Sequence, residues 1–563
     1  MSNMHVMRSI PDYFRDKTIL ITGSTGFLGK SLVAKILTNM PEIAKLYLLI
    51  RSRKSPAGIM VSAADRLKNE LLTADVFENL RKQHGDRFTT WMVSKVEALE
   101  GDLAEERFGL PDDVYASICR EIQVIINCAA LVKFDPPIDQ SLKNNTLSAK
   151  YAVNFAKNCN NAVFIHVSTA FVCGFRPGLV PEEIYQPLIE GPQPANGKMK
   201  VVPLELEAEI VEITRLSAEV RAEADHPHRN RRFKAEALKM IRNGNGKIGG
   251  TLEEQIEYVR SQWVESTLVD LGLERAKMHG WIDTYTNMKA LGEQMVIRER
   301  GDLPTAIIRP SIIESSLKDP NPGWLDGLRM VDPLIISYGK GRLADFPGDT
   351  DSLVDIIPVD FVTNAILAAT VYTHEQGGFK IYNVATGPNR SITVRQFYLE
   401  TRHYFQMAPM FRNGEPVVVP TWKFPKLKKF QRTLRFMIFR LELGSWLLRL
   451  LPLKWADRQS RRFAVILKAL KWLQYYVRIY SPYMQLHAEF DTANTQELFR
   501  ALATEDREKF NFDTSSIDIP SYLREVHIPG IKQYVMKLDK EGLALENNQA
   551  QGDSLDSARI GTD

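Results

Sequence analysis

The chain lacks most of the features that would tie it to particular function classes. It has 4 cysteines in 563 residues, Cys119, Cys128, Cys159 and Cys173. None forms a C-x-x-C pair and the spacings are irregular. That argues against a disulfide framework or a structural zinc site and fits a reducing cytosol. No His, Cys and carboxylate group shows ligand spacing, so no metal is expected. No uncharged apolar run reaches the ~18 residues a membrane span needs. No leader precedes the first apolar run. The C-terminal Ala558-Arg559-Ile560-Gly561-Thr562-Asp563 matches no peroxisomal or lipidation signal. A cytoplasmic protein is expected. The net charge is only +4, which gives no reason to expect a nucleic-acid partner. There are no internal repeats.

The length is too great for one core, so two or three domains are expected. The charge that is present is unevenly placed. From Lys423 to Arg478 stand 15 Lys or Arg against two acids, Glu442 and Asp457, a balance of +13 against −9 elsewhere. Residues 424–483 mix Leu, Phe, Trp and Tyr with regularly spaced cations, broken at Pro452 and Pro482. This is amphipathic helix material. Two fates remain open for its apolar face: docking as a peripheral element on an anionic membrane surface, or packing on the rest of the protein. Residues 541–563 are polar and read as a disordered tail.

The first part alternates strand-like and helix-like segments. Short apolar runs occur at Lys17-Thr18-Ile19-Leu20-Ile21, Leu46-Tyr47-Leu48-Leu49-Ile50, residues 95–100, Val124-Ile125-Ile126-Asn127, Val163-Phe164-Ile165-His166-Val167 and Thr305-Ala306-Ile307-Ile308. Residues 27–37, 63–83 and 146–158 read as helices. This rhythm predicts an α/β fold, a Rossmann-type doubly wound parallel sheet. A long insertion, residues 175–282, precedes the sixth strand. It carries helix-like stretches at 204–224 and 252–278, with a basic loop, His226-Pro227-His228-Arg229-Asn230-Arg231-Arg232, between them. A connection this long reads as a substrate cap, although a packed subdomain would look the same.

Chemistry gathers at the ends of these strands. The first runs into Gly23-Ser24-Thr25-Gly26-Phe27-Leu28-Gly29. Glycines let the backbone turn sharply and approach a pyrophosphate held on the free N–H groups of a helix N-terminus. Arg51 and Arg53 follow the second strand. Arginine there favours a 2′-phosphate, hence NADPH over NADH. Asp102, beside Leu103, follows the third strand, where a carboxylate meets an adenine amino group. Cys128, Ala129 and Ala130 follow the fourth and are small enough for the backbone to lie against a cofactor. Ser168 and Thr169 end the fifth, where a hydroxyl can bond a substrate carbonyl. Tyr285 and Lys289 lie four apart on one helix face. A neighbouring ammonium is expected to lower the tyrosine pKa and make it a proton donor at neutral pH.

In their order, these blocks resemble an extended short-chain dehydrogenase/reductase, and more narrowly the alcohol-forming fatty acyl-CoA reductases. The narrower likeness rests on Asn127-Cys128-Ala129-Ala130-Leu131-Val132-Lys133-Phe134, Ile308-Arg309-Pro310-Ser311-Ile312-Ile313, Pro322-Gly323-Trp324 and Asp355-Ile356-Ile357-Pro358-Val359-Asp360. It covers residues 15–400 well and the C-terminal part more loosely. It implies a reductase domain over 1–415, with the insertion covering a lipid substrate, and a helical basic domain over 416–540. Thr169, five residues before Gly174, would be the active hydroxyl rather than Ser168. Asn145, with Asn144 one register away, would help hold Lys289 through water. Pro310, Ser311 and Ile312 would join the cofactor contacts, and Lys133 and Phe134 would join Thr169 and Tyr285 around the substrate. The implied activity is NADPH-dependent reduction of long-chain acyl-CoA through a bound fatty aldehyde to a primary alcohol, as wax ester biosynthesis requires. Reductases that stop at the aldehyde or use carrier-bound thioesters stay open, with an NADPH-sensing regulator as a remote alternative. A nucleotide-sugar epimerase fits the basic, apolar C-terminal part poorly. With no adenylation or carrier domain, a self-activating carboxylic acid reductase is disfavoured. Chain-length preference and oligomeric state are not legible.

Overall fold

Burial on both faces accounts for the near-continuous apolar strands. A computed structural model describes residues 6–55, 58–185, 204–242, 250–449 and 454–537. Its core is one sheet of seven parallel strands: β1 (Thr18–Thr22), β2 (Lys45–Ile50), β3 (Val96–Glu100), β4 (Val124–Asn127), β5 (Val163–Val167), β6 (Thr305–Pro310) and β7 (Phe379–Val384). Their order is β3-β2-β1-β4-β5-β6-β7. The chain reverses direction across the sheet between β1 and β4, so a crevice opens at their carboxyl ends, where ligands bind in such folds. The register there pairs Thr22 with Asn127.

The helices that position the site are α1 (Phe27–Asn39), α2 (Ser148–Lys157), α3 (Leu206–Asp225), α4 (Pro227–Arg242), α5 (Leu252–Met278), α6 (Thr284–Glu299), α7 (Val359–Gln376), α8 (Leu427–Arg449) and α9 (Lys454–Tyr480). A π-helical turn, Leu142–Leu147, leads into α2. The basic segment 226–232, expected as a loop, instead opens α4. Pro227 suits a first helical position, and Phe233 and Ala237 then fall on one face against Val259 of α5. Leu206, Ile213 and Leu268 pack with Met288, Leu291 and Met295 of α6. The insertion therefore braces the back of α6.

Strand β7 was not among the six strands read from the sequence. It adds at the edge beyond β6, in register from Phe379 with Thr305 to Val384 with Pro310. Its free edge is covered from the C-terminal part: Asn494 Nδ2 donates to the Ile381 carbonyl at 3.0 Å and Thr495 Oγ1 to that of Asn383 at 2.9 Å. Such cover blunts the edge as a template for pairing. Helices α8 and α9 form an antiparallel hairpin, with Ser445 and Ser460 hydroxyls 3.2 Å apart. Beyond it, Ala488–Phe490 pairs in parallel with Gly178–Val180. The tail at 541–563 lies outside the described residues. Among those described, no helix is long and apolar enough to cross a membrane.

Candidate active site

The glycine turn works through close approach. Gly23 has φ +72°, and a Cβ on it would stand 2.7 Å from the Ala129 nitrogen. A Cβ on Gly29 would stand 2.2 Å from the Gly23 carbonyl oxygen. Helix α1 starts after Gly26, with no side-chain cap, and its first turn, Phe27, Leu28 and Gly29, faces the crevice. The Ser24 hydroxyl is buried without a partner. Thr22, Asn127 and His166 link the strand ends: Thr22 Oγ1 donates to Asn127 Oδ1 at 2.6 Å, and Asn127 Nδ2 lies 3.0 Å from His166 Nδ1. Burial holds the His166 imidazole well below its usual range, hence neutral. An uncapped helix start over a cradle that admits no side chain fits a dinucleotide pyrophosphate.

One open cleft, with about 2470 Å³ of empty space, joins this turn to the candidate catalytic groups. Thr169, Tyr285 and Lys289 all line it. So do Gly23, Thr25, Gly26, Phe27, Leu28, Gly29, Arg51, Asp102, Leu103, Cys128, Ala129, Ala130, Lys133, Phe134, Pro310, Ser311 and Ile312. Burial pushes the Cys128 thiol up to about 12, so that it acts as a small apolar wall. Asp283 caps α6: its Oδ1 accepts from the Thr286 amide at 2.8 Å, which fixes the turn carrying Tyr285. Lys289 Nζ donates to the Val167 carbonyl at 2.7 Å. Burial lowers its pKa to about 8. Burial, and then the Asp283 carboxylate, push the Tyr285 phenol up. This reverses the expected lowering, because desolvation of the phenolate dominates. A phenol that keeps its proton is still the form a proton donor needs.

The two hydroxyls at the end of β5 differ. Thr169 Oγ1 is 3.5 Å from the Pro310 carbonyl, while the Ser168 hydroxyl is buried without a partner; both residues reach the cleft. Asn145 does not line the cleft, whereas Asn144 does. The Asn145 amide clasps the loop after β4, accepting from Leu131 N at 2.8 Å and donating to Leu131 O at 3.3 Å. Arg53 lies off the wall. A short hairpin, Arg53–Lys54 with Met60–Val61, turns it toward Glu70 at 2.9 Å. Its place is taken by Arg66, which lines the cleft and donates to the Arg51 carbonyl at 2.8 Å.

The cover of the cleft comes from an unexpected quarter. No described residue of the 175–282 insertion lines it. Trp472, Tyr475, Tyr476, Ile479 and Tyr480 of α9, and Tyr483 after it, do. The reason is local: helices α3 and α5 of the insertion pack on the back of α6, while α9 is anchored at the front. Asp135 accepts from Tyr475 Oη at 3.1 Å and pairs with Arg478. Tyr483 Oη donates to Asp283 Oδ2 at 2.6 Å, and burial raises that carboxyl to about 6. These residues lie about 200 positions from Tyr285 in sequence, so no spacing could announce them. Nor could spacing announce the buried group Glu314, Asp332 and His527, the set of potential metal ligands found among the described residues. His527 Nε2 lies 3.0 Å from Asp332 Oδ1. Burial and Asp332 hold the Glu314 carboxyl well above its usual range.

Comparison with known proteins follows the same lines. An NAD-binding family model described as "Male sterility protein" matches residues 21–366, and a second with that description matches residues 447–538. The NAD-binding match supports a nicotinamide cofactor. Fatty acyl-CoA reductase 8 of Arabidopsis thaliana is 34% identical over 93% of this chain and 98% of its own length. The alcohol-forming fatty acyl-CoA reductase of Simmondsia chinensis is 32% identical over 95% of this chain and 100% of its own. Among solved structures, the terminal R domain of the myxalamid PKS-NRPS pathway aligns over 95% of both chains, with TM-score 0.53 and 15% identity. The R domain of a Mycobacterium tuberculosis non-ribosomal peptide synthetase aligns over 94% of both, with TM-score 0.51 and 18% identity. Those two likenesses establish the fold.

Proposed function

Because the chain belongs to the fatty acyl-CoA reductase family, we propose that it reduces long-chain acyl-CoA to the primary alcohol with NADPH, releasing CoA and passing through a bound fatty aldehyde. The observation that carries this reading is the meeting of Thr169, Tyr285 and Lys289 in the cleft into which the glycine turn opens. NADPH, when bound there, supplies a hydride in each of two reductions. Thr169 and Tyr285 donate hydrogen bonds to the oxygen that becomes negative, an arrangement worth several kcal/mol where water is excluded. The tetrahedral hemithioacetal collapses with loss of CoA thiol. In the second reduction Tyr285 passes its proton to the alkoxide. Lys289 orients the nicotinamide ribose. Asn145 holds Leu131 in the loop after β4, the loop that would back the bound cofactor. NADPH oxidation with palmitoyl-CoA, and gas chromatography of the product, test the reading. Hexadecanol is expected; accumulated hexadecanal would make it an aldehyde-forming enzyme, and no oxidation would overturn it.

Preference for NADPH is assigned to Arg51, which follows β2, and Arg66, which bonds the Arg51 carbonyl. Replacing both by Ala should raise the KM for NADPH about 10–100-fold, the worth of one or two charge-assisted contacts, and leave that for NADH little changed. Equal effects on both cofactors would remove the assignment. A peripheral position on an anionic membrane is also proposed, from the exposed apolar and basic hairpin of α8 and α9.

A further inference from the structure

We propose that the alkyl chain of the substrate lies in a second, apolar cavity adjoining the cleft beside Phe171 and Tyr483, and that Val394 and Phe397 on its wall set the chain length accepted. This rests on the reduction reading and says where the chain goes. The cavity is narrow, with about 60 Å³ open to the centres of water-sized molecules, the bore of a channel one alkyl chain wide. It shares Phe171, Ile312, Met330, Tyr480 and Tyr483 with the cleft, so the two spaces adjoin across these side chains. Phe171 stands two residues after Thr169, which places the mouth beside the reacting carbonyl.

The mouth is aromatic. Phe171 and Phe134 both set ring edges against Tyr483, with centroids 5.3 and 5.4 Å away, and Phe134 also meets Tyr480 at 5.8 Å. The Tyr483 hydroxyl is occupied by Asp283. Inside, the carboxylate on the wall is Asp355, and it is satisfied from behind: Thr386 Oγ1 donates to it at 2.7 Å and Ser391 Oγ at 3.0 Å. The remaining walls come from side chains such as Leu353, Val394, Phe397 and Leu486. Such a lining offers little to a sugar, a phosphate or a peptide amide. It rewards methylenes, each worth about fourfold in affinity when taken from water. The thioester and CoA stay in the polar cleft while the chain threads past the aromatic mouth.

The unmodified protein is irradiated with NADPH and a 16-carbon alcohol carrying a terminal diazirine, and the labelled peptides are mapped by mass spectrometry. Label on residues 392–397 or 484–490 is expected. Label confined to the insertion helices, or none, overturns the proposal. In parallel, Val394→Phe should lower the ratio of kcat/KM for hexadecanal over octanal at least tenfold, about two methylenes' worth. Phe397→Leu should shift it the other way, and carries the test if the first variant does not fold. An unchanged ratio in folded protein overturns the proposal. If cavity label appears but no thioester or aldehyde oxidises NADPH, the reduction reading falls and the alkyl site stands. If the substrates are reduced but the label lies elsewhere, the alkyl site falls and the reduction reading stands.

Discussion

Tyr285 and Lys289 are moved in opposite directions by the same cause. Burial disfavours charge, so the phenol is raised and the ammonium lowered to about 8. Lys289 is a base, so its charge is present below about 8 and lost above it. The kcat/KM for hexadecanal at saturating NADPH should therefore decline as pH rises through about 8; a flat profile to well above that value would remove Lys289 as the cationic partner. Stability runs the other way. The unfolded lysine keeps its proton up to about 10.5 while the folded one releases it near 8, so this residue's contribution to stability grows with pH across that window. Tyr285→Phe should abolish both reductions while NADPH binding, read by fluorescence titration, stays near parental, since only the phenolic proton is removed. Thr169→Ala should slow turnover more than Ser168→Ala; the reverse order would move the active hydroxyl by one residue. The hydroxyls at 168 and 169 were legible from the strand-end pattern, and Tyr285 with Lys289 from their spacing on one helix face. Their electrostatics were not, because burial governs them, and the groups that bury Tyr285 include Tyr483, which arrives from the far end of the chain.

Helix α6 is where the site's precision is held. Its start is fixed by the Asp283 cap. Its middle lies against the π-helical turn, where a Cβ on Gly292 would stand 2.4 Å from the Asn145 carbonyl oxygen. Further along, Glu293 meets Arg309 of β6 in a two-pronged pair at 2.9 and 2.6 Å, with both side chains almost fully buried. Removing one partner leaves an unpaired buried charge, so Glu293→Ala should cost about 3–5 kcal/mol. A fall in the denaturant midpoint is the readout; a midpoint within error of the parent would show that the pair is not what ties α6 to the sheet. Elements with strong period were legible: β1 to β6, α3, α5 and the α6 motif. The edge strand β7 was not, since Lys380 and Asn383 break its apolar run and the cover of its outer edge comes from Asn494 and Thr495, far along the chain. Helix α4 was hidden by the charge of residues 226–232, whose apolar face begins only at Phe233. Arg66 stands where Arg53 was expected because the pairing of Arg53–Lys54 with Met60–Val61 turns Arg53 toward Glu70, a turn that no periodicity signals.

At the scale of the molecule, the hairpin of α8 and α9 has two ends with different surroundings. Its base packs on the reductase: Val477 is buried, and Tyr475 and Arg478 hold Asp135 at the cleft rim. Its outer part does not. Phe436, Phe439 and Trp446 of α8 and Trp455, Val465 and Ile466 of α9 are exposed, Trp446 and Trp455 by 57% and 58%. Cations recur between them, Arg440 lying over the Phe436 ring at 5.7 Å. Packing thus holds for the base, while the outer part leaves exposed the apolar and basic face that the proposed docking would use. Exposed aromatic side chains cost free energy in water and gain it at the headgroup boundary, and each nearby Lys or Arg adds about 1 kcal/mol on an anionic surface. Because α9 also walls the cleft, a docked hairpin would set the cleft mouth at the layer where long-chain substrates and alcohols partition. The protein should float with phosphatidylserine-containing vesicles at low salt and be released at ~1 M salt, where the screening length falls to ~3 Å. Trp446→Ser combined with Trp455→Ser should weaken flotation without lowering the thermal midpoint, since neither side chain is buried. Equal flotation on neutral phosphatidylcholine would remove the electrostatic part of the argument. Flotation undiminished in the double variant would move the contact elsewhere on the surface.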